Sequence, residues 1–144
     1  MKNYSLNELA VILLDCYEGF EYKHKKAILD LYRGKEETLF DDFEAAYSYV
    51  FANVGDAAAN TLKKSFSIDF AEEIANKLDK KSVTAITFIS KEYPENFLNY
   101  PLYPLILYAK GNISLLSENK KFSIVGSRKT LPFVLRATEK ISET

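Results

Sequence analysis

Apolar residues recur at helical spacing through the first eighty positions, then give way to short β-branched runs. Leu6, Leu9, Leu13 and Tyr17 fall at three- and four-residue intervals, which predicts an amphipathic helix. Ser5-Leu6-Asn7-Glu8 fits a capping box at its start, with the Ser5 hydroxyl accepting from the Glu8 amide and the Glu8 side chain reaching back. Gly19 is placed to end this helix. A second helix reads from about Lys23 to Arg33, with Ala27, Ile28, Leu31 and Tyr32 apolar and Gly34 just past its end. Leu39 to Phe51 predicts a third, with Phe40, Phe43, Tyr47, Val50 and Phe51 on one broad face. Asp56 reads as the cap of a fourth, running through Ala59, Leu62 and Phe66. Asp69, with Glu72 three residues on, reads as the cap of a fifth carrying Phe70, Ile74 and Leu78. Residues 1–81 are therefore expected to form a bundle of short helices.

The period changes at Ser82. Val83 to Ile89 (VTAITFI) is short and β-branched, as strands are. The next stretch, EYPENFLNYPLYP, holds Pro94, Pro101 and Pro104 and reads as turn-rich. Leu105 to Ala109 predicts a second strand, ended by Lys110-Gly111-Asn112, and Ile113 to Leu116 a short turn of helix. Phe122 to Val125 predicts a third strand. Pro132 suits a helix start, and Val134, Leu135, Ala137, Thr138 and Ile141 continue it. The one plausible boundary lies near 80–82, without a flexible linker. It divides the chain into a helical domain, residues 1–81, and a second domain, residues 82–144.

Composition narrows the class. The chain has 144 residues, 47% hydrophobic and 27% charged, the balance of a soluble globular chain with a real core. The single Cys16 excludes an internal disulfide, and nothing points to secretion. No apolar run approaches the roughly 20 residues of a membrane span. The start, MKNYSLNE, has no apolar segment behind a basic one, so no signal peptide is expected and the chain reads as cytoplasmic. The net charge of −1 hides an asymmetry: residues 1–76 carry 8 Lys/Arg against 14 Asp/Glu, and residues 77–144 carry 11 against 6. The C-terminal half is the better candidate for an anionic partner.

The chemistry with most promise is Gly126-Ser127-Arg128-Lys129. A strand that ends in glycine and leads to a helix converges backbone amides on the helix N-terminus, where an anion is favoured. Arg128 can add a bidentate phosphate contact, Lys129 a point charge and Ser127 a hydrogen bond. The same pattern serves as an ordinary strand-to-helix connection, and on pattern alone both readings stand. It is not a Rossmann fingerprint, because Ser127 to Thr144 contains no glycine, and it is not a Walker loop, because Gly-Lys-Ser/Thr is absent. His24 in EYKHKK reads as solvated and Cys16 as a core residue, and together they cannot build a zinc site of familiar spacing. Asp41-Asp42 and Glu72-Glu73 are adjacent, so on a helix they diverge by about 100°, poor geometry for paired acid–base work. Most of the ten Tyr and ten Phe read as core rather than stacking platforms. Phe133, beside the loop, is the exception. No catalytic residue, metal site or cofactor is expected.

Three stretches then align in order with a known family. EYPENFL (92–98) is similar to the YPxxL motif that follows the first strand in the DprA/Smf family of DNA-processing proteins. LILYAKGN (105–112) resembles that family's LYxKGN strand end, and FSIVGSRK (122–129) resembles its IVGSRK strand and loop. The resemblance is specific over about 92–129 and weaker before that. It implies an α+β / α/β fold: a sterile-alpha-motif-like (SAM-like) bundle of short helices, followed by the first strands and helix of an incomplete extended Rossmann-like domain. It implies a protein that is not an enzyme, binds and protects single-stranded DNA, and loads a RecA-type recombinase during natural transformation. Carried over, Arg128 contacts a DNA phosphate, Gly126 and Ser127 shape the turn, and Lys129 matches the following base. Lys110 and Phe133 are further candidate DNA contacts.

The sequence also departs from the family. Leu131, Phe133 and Val134 stand where a Thr and then a Tyr-Gly pair are usual. The Asp-Pro-Pro run before the second strand becomes NYPLYP. The helix-hairpin-helix Gly-x-Gly of many members is represented only by Gly19, followed by Phe20 and Glu21. The family's later pocket-completing loops have no counterpart, so the chain reads as the N-terminal portion of such a protein, expected to self-associate or to leave its C-terminal end mobile. A second reading makes residues 1–81 an acidic helical protein-interaction module without DNA binding. A third, an extended-Rossmann enzyme acting on nucleotides, lacks any residue to serve as its catalytic acid.

Overall fold

The computed structural model describes residues 2–118, 125–126 and 130–142. The elements in order are α1 (Leu6–Asp15), α2 (Tyr22–Leu31), a 3₁₀ helix (Glu36–Phe40), α3 (Glu44–Asn53), α4 (Asp56–Ser65) and α5 (Ile68–Lys80). Then come β1 (Thr84–Thr87), a 3₁₀ helix (Glu95–Asn99), β2 (Ile106–Ala109), a 3₁₀ helix (Ile113–Ser117) and α6 (Pro132–Ser142). This is an α+β chain, a helical bundle leading into the start of a sheet. Phe122–Ile124 of the expected third strand lie outside the described residues.

The capping box forms as the spacing predicts. Ser5 Oγ accepts from the Glu8 amide at 3.2 Å, and Glu8 Oε2 accepts from the Ser5 amide at 2.9 Å. The helix ends earlier than Gly19, with Cys16 as its C-cap. It is not amphipathic in use: Leu9 through Leu14 are all buried, and only the N-terminal Leu6 of the predicted stripe is exposed. A helix apolar all round must be surrounded. Here α5, the first 3₁₀ helix, α2 and the hairpin all pack against α1. Full burial of one such leucine stabilises by about 2 kcal/mol, so this helix organises the core.

Several expected faces and caps moved, each for a tertiary reason. In α2, Ile28 and Leu29 are buried while Leu31 is 50% exposed, because the helix ends there instead of at Arg33. The predicted helix Leu39–Phe51 is broken between Phe40 and Glu44. The Tyr32 hydroxyl sits in the break, donating to the Asp42 carbonyl at 3.0 Å and accepting from the Ala46 amide at 3.2 Å. It satisfies a free donor at the start of α3, as a local cap would. Phe51 then lies outside the core, 54% exposed. Gly55, at φ 133°, precedes α4 in place of Asp56, and Ser67 caps α5 in place of Asp69 by accepting from the Phe70 amide. That register buries Ala71 and leaves Phe70 outside.

β1 and β2 pair antiparallel, with Thr84 opposite Ala109 and Thr87 opposite Ile106. Ala85, Leu105 and Ile106 join the same apolar cluster as the helical residues. The far edge of β1 is closed by side chains: the Ala85 amide donates to the Tyr4 hydroxyl at 2.9 Å, and the Thr87 amide to Ser90 Oγ at 2.9 Å. An edge so capped resists pairing with another strand.

Below it lies a buried polar knot. Ser90 Oγ donates to Glu8 Oε1 at 2.6 Å, and Lys2 Nζ pairs with the same oxygen at 3.1 Å. Lys2 also reaches Glu92 at 3.2 Å. The residue that caps α1 therefore holds the turn after β1. Burial would push its carboxyl up, but the Ser90, Ser5 and Lys2 donors together hold it below its ordinary range.

Candidate nucleic-acid interface

The residues singled out for phosphate contact are only partly within the described structure. Gly126 is exposed, beside Val125 at 90% exposure. Ser127, Arg128 and Lys129 lie outside the described residues. Lys110 follows β2 directly and is exposed. Phe133 is in the first turn of α6 and is 62% exposed. No hydrogen bond or ring contact joins Gly126, Lys110 and Phe133 among the described residues. All three face solvent, as a surface for a polymer requires.

Two of the three aligned motifs lie within the described residues, and the fold uses both. Tyr93 of EYPENFL is buried, and its hydroxyl donates to the Pro104 carbonyl at 2.6 Å. Burial, then the neighbouring Tyr103 and Tyr22 rings, push that phenol up to about 12. The Phe97 ring stands edge-on to it at 6.1 Å, and Pro94 precedes the 3₁₀ helix. This ties the proline-rich loop to the start of β2. In LILYAKGN, the Tyr108 hydroxyl donates to Asp15 at 3.0 Å. Burial, then the Asp15 charge, raise its phenol strongly. Gly111, at φ 99°, makes the turn that glycine alone takes without strain, and Asn112 caps the next 3₁₀ helix through the Ser114 amide. These motifs shape the end of the hairpin from which Lys110 projects.

Charge is distributed unevenly. In α2, Lys23 pairs with Glu21 at 2.9 Å, Lys25 with Asp15 at 3.3 Å and Lys26 with Asp30 at 2.6 Å. The basic run EYKHKK is thus internally neutralised, and His24 contacts the Tyr49 hydroxyl at 3.3 Å. A cleft of about 570 Å³ beside the Tyr93 turn is lined by Lys91 against Glu92, Glu95 and Glu118. That balance repels phosphate. Cys16, expected in the core, is exposed at the α1 C-cap. Partial desolvation, then the Asp15 charge, push its thiol up, the reverse of what activates a nucleophile. No helix among the described residues is long and apolar enough to cross a membrane.

Sequence reasoning missed the Glu8–Ser90 link and the turn at Ser82. The capping box was visible, but a spacing of 82 residues between Glu8 and Ser90 leaves no local signal. Residues 84–144 match a family model described as DNA recombination-mediator protein A. No curated protein and no solved structure matches the chain.

Proposed function

We propose, from the match of residues 84–144 to the DNA recombination-mediator protein A model, that the chain is a member of that family and binds single-stranded DNA at the turn Gly126–Lys129. Arg128 is the principal phosphate contact, with Ser127 and Lys129 beside it and Lys110 and Phe133 as further contacts. The role is protective and non-catalytic: the strand is covered and passed to a RecA-type recombinase during natural transformation in the cytoplasm. The chain self-associates in that work. The observation that carries this reading is the family match, which spans LILYAKGN and FSIVGSRK, in a stretch of the chain with a basic excess. Phosphate contact supplies most of the affinity, and stacking on an exposed ring such as Phe133 adds sequence-tolerant binding.

The test is fluorescence anisotropy of a labelled oligo-dT with the wild type and Arg128→Ala. Losing one charge-assisted contact weakens binding by about tenfold or more. Equal affinity of the two proteins removes Arg128 from the site.

One observation favours a second reading for the helical domain alone. The three lysines of α2 are paired with carboxylates of the chain itself, which suits an acidic module that binds protein rather than DNA. On that reading, residues 1–81 contribute an interaction surface, and the DNA contacts stay in 82–144.

A further inference from the structure

The turn from α5 to β1 is built on an unusual residue. Ser82 has φ 53°, and no other non-glycine residue among those described has a positive φ. The Val83 amide donates to the Leu78 carbonyl at 2.9 Å and the Ser82 amide to the Asp79 carbonyl at 2.8 Å. This is a Schellman turn with Ser82 in the left-handed position, where glycine is the favoured residue. Serine is strained there, and backbone strain that persists is often tied to a role. What serine has and glycine lacks is a hydroxyl, which makes no hydrogen bond among the described residues.

Three cations surround this turn in the chain and the sheet. Lys80 and Lys81 precede Ser82. The register that pairs Thr84 with Ala109 brings Lys110 and Gly111 to the same end of the hairpin. Lys80, Lys81 and Lys110 are all exposed. None of them enters an ion pair among the described residues, whereas Lys77, one turn earlier, is held by Glu73 at 2.7 Å. Asp79 is the single carboxylate within the turn. A Cβ at Gly111 would meet nothing within 4 Å, so the space beside Lys110 is open. The carbonyl end of α5 favours Lys80, but it explains neither Lys110 on the other strand nor the hydroxyl at Ser82.

We propose that Lys80, Lys81, Ser82 and Lys110 form a second phosphate seat, which holds the backbone of the same DNA strand that Arg128 contacts. This rests on the single-stranded DNA reading and extends it: the seam between the helical domain and the hairpin becomes a section of the DNA path. The chemistry is that of a hydroxyl donor and point-charge ammoniums around an open turn, suited to a phosphodiester and indifferent to base identity.

Oligo-dT anisotropy across a salt series tests it, with three variants of the full chain. The double variant Lys80→Gln/Lys81→Gln, which spares the Lys110 already assigned to the first site, should bind about tenfold more weakly near 0.1 M salt, with a salt slope shallower by roughly 1.4. Ser82→Gly should raise Tm by about 3 °C by relieving the backbone, yet bind about threefold more weakly. A purely structural serine would give the first change without the second. Wild-type affinity and slope in the double variant overturn the second seat, while Arg128→Ala weakening alone leaves the first intact. The reverse pattern overturns the Arg128 site and keeps this one. A wild type that binds no oligo-dT at low salt overturns both.

Discussion

Glu8→Gln loses about 3 kcal/mol of stability in urea denaturation at neutral pH, a large share of what a domain of this size has. The carboxylate is buried and receives four donors: the Ser5 amide and hydroxyl, the Ser90 hydroxyl and the Lys2 ammonium. An amide in its place turns two acceptor positions into one and leaves Lys2 facing a dipole. Lys2 keeps Glu92 as a partner, but the Ser5 and Ser90 donors in this buried place can no longer all be met, and each unmet donor costs more than the bond it made. Because Ser90 lies beyond β1, the effect is not confined to α1. A double-mutant cycle with Ser90→Ala should show a coupling above about 0.5 kcal/mol. The pH dependence follows from the direction of the shift. The folded carboxyl sits below its ordinary value of 4.5. Its contribution is therefore complete above that pH and is lost as pH falls through the lower, folded value. The wild type should lose stability in that acid window, and Glu8→Gln should show a flatter acid limb. A variant as stable as the wild type at pH 7 refutes the polar knot as a structural element.

Tyr93→Ala costs about 4 kcal/mol, and Tyr93→Phe about 1.5 kcal/mol. The ring is only 5% exposed, so its removal leaves a cavity between the proline-rich loop and β2. The smaller change leaves the Pro104 carbonyl without its donor. Thermal denaturation of both variants reads these steps. The phenol, raised from 10.0 to about 12 by burial, adds an alkaline signature. A raised pKa means that the neutral form is the one the fold keeps, so the stabilisation is full below pH 10 and fades as pH rises towards 12. Tyr93→Phe should narrow that alkaline loss relative to the wild type. If Tyr93→Ala unfolds no more readily than Tyr93→Phe, the ring is not a packing element, and the motif that contains it needs another explanation.

How much of this was legible in the chain depends on whether the cause is local. The Ser5–Glu8 box was readable because its donors and acceptors lie within one turn. The break before α3 was not, since the group that makes it, the Tyr32 hydroxyl, arrives from another helix. The caps stand at Gly55 and Ser67, one or two residues before Asp56 and Asp69, which are at least as good cap types, so residue type alone does not choose between them. Leu29, not Leu31, enters the core because α2 ends at Leu31. The hairpin was legible as two strands, but their antiparallel sense was not, because the connection of eighteen residues between them has no hairpin-turn signature.

The candidate site divides in the same way. Glycine, arginine and lysine after an apolar run mark residues 126–129 as a candidate from the sequence pattern alone. Ser82 gives no such mark: Lys-Lys-Ser after a helix reads as a plain polar end, and only its dihedral sets it apart. Tyr93 and Tyr108 in the aligned motifs are visible as motif letters, while their hydrogen bonds to Pro104 and Asp15 need the fold.

The most direct measurement of the central claim is the affinity of the wild-type chain for labelled oligo-dT and for a duplex of matched length, each between about 50 and 200 mM salt. A phosphate-led, single-strand binder gives log affinity falling linearly with log salt, by about 0.7 for each contact, and prefers the single strand. Binding that ignores salt, or that favours the duplex, contradicts it.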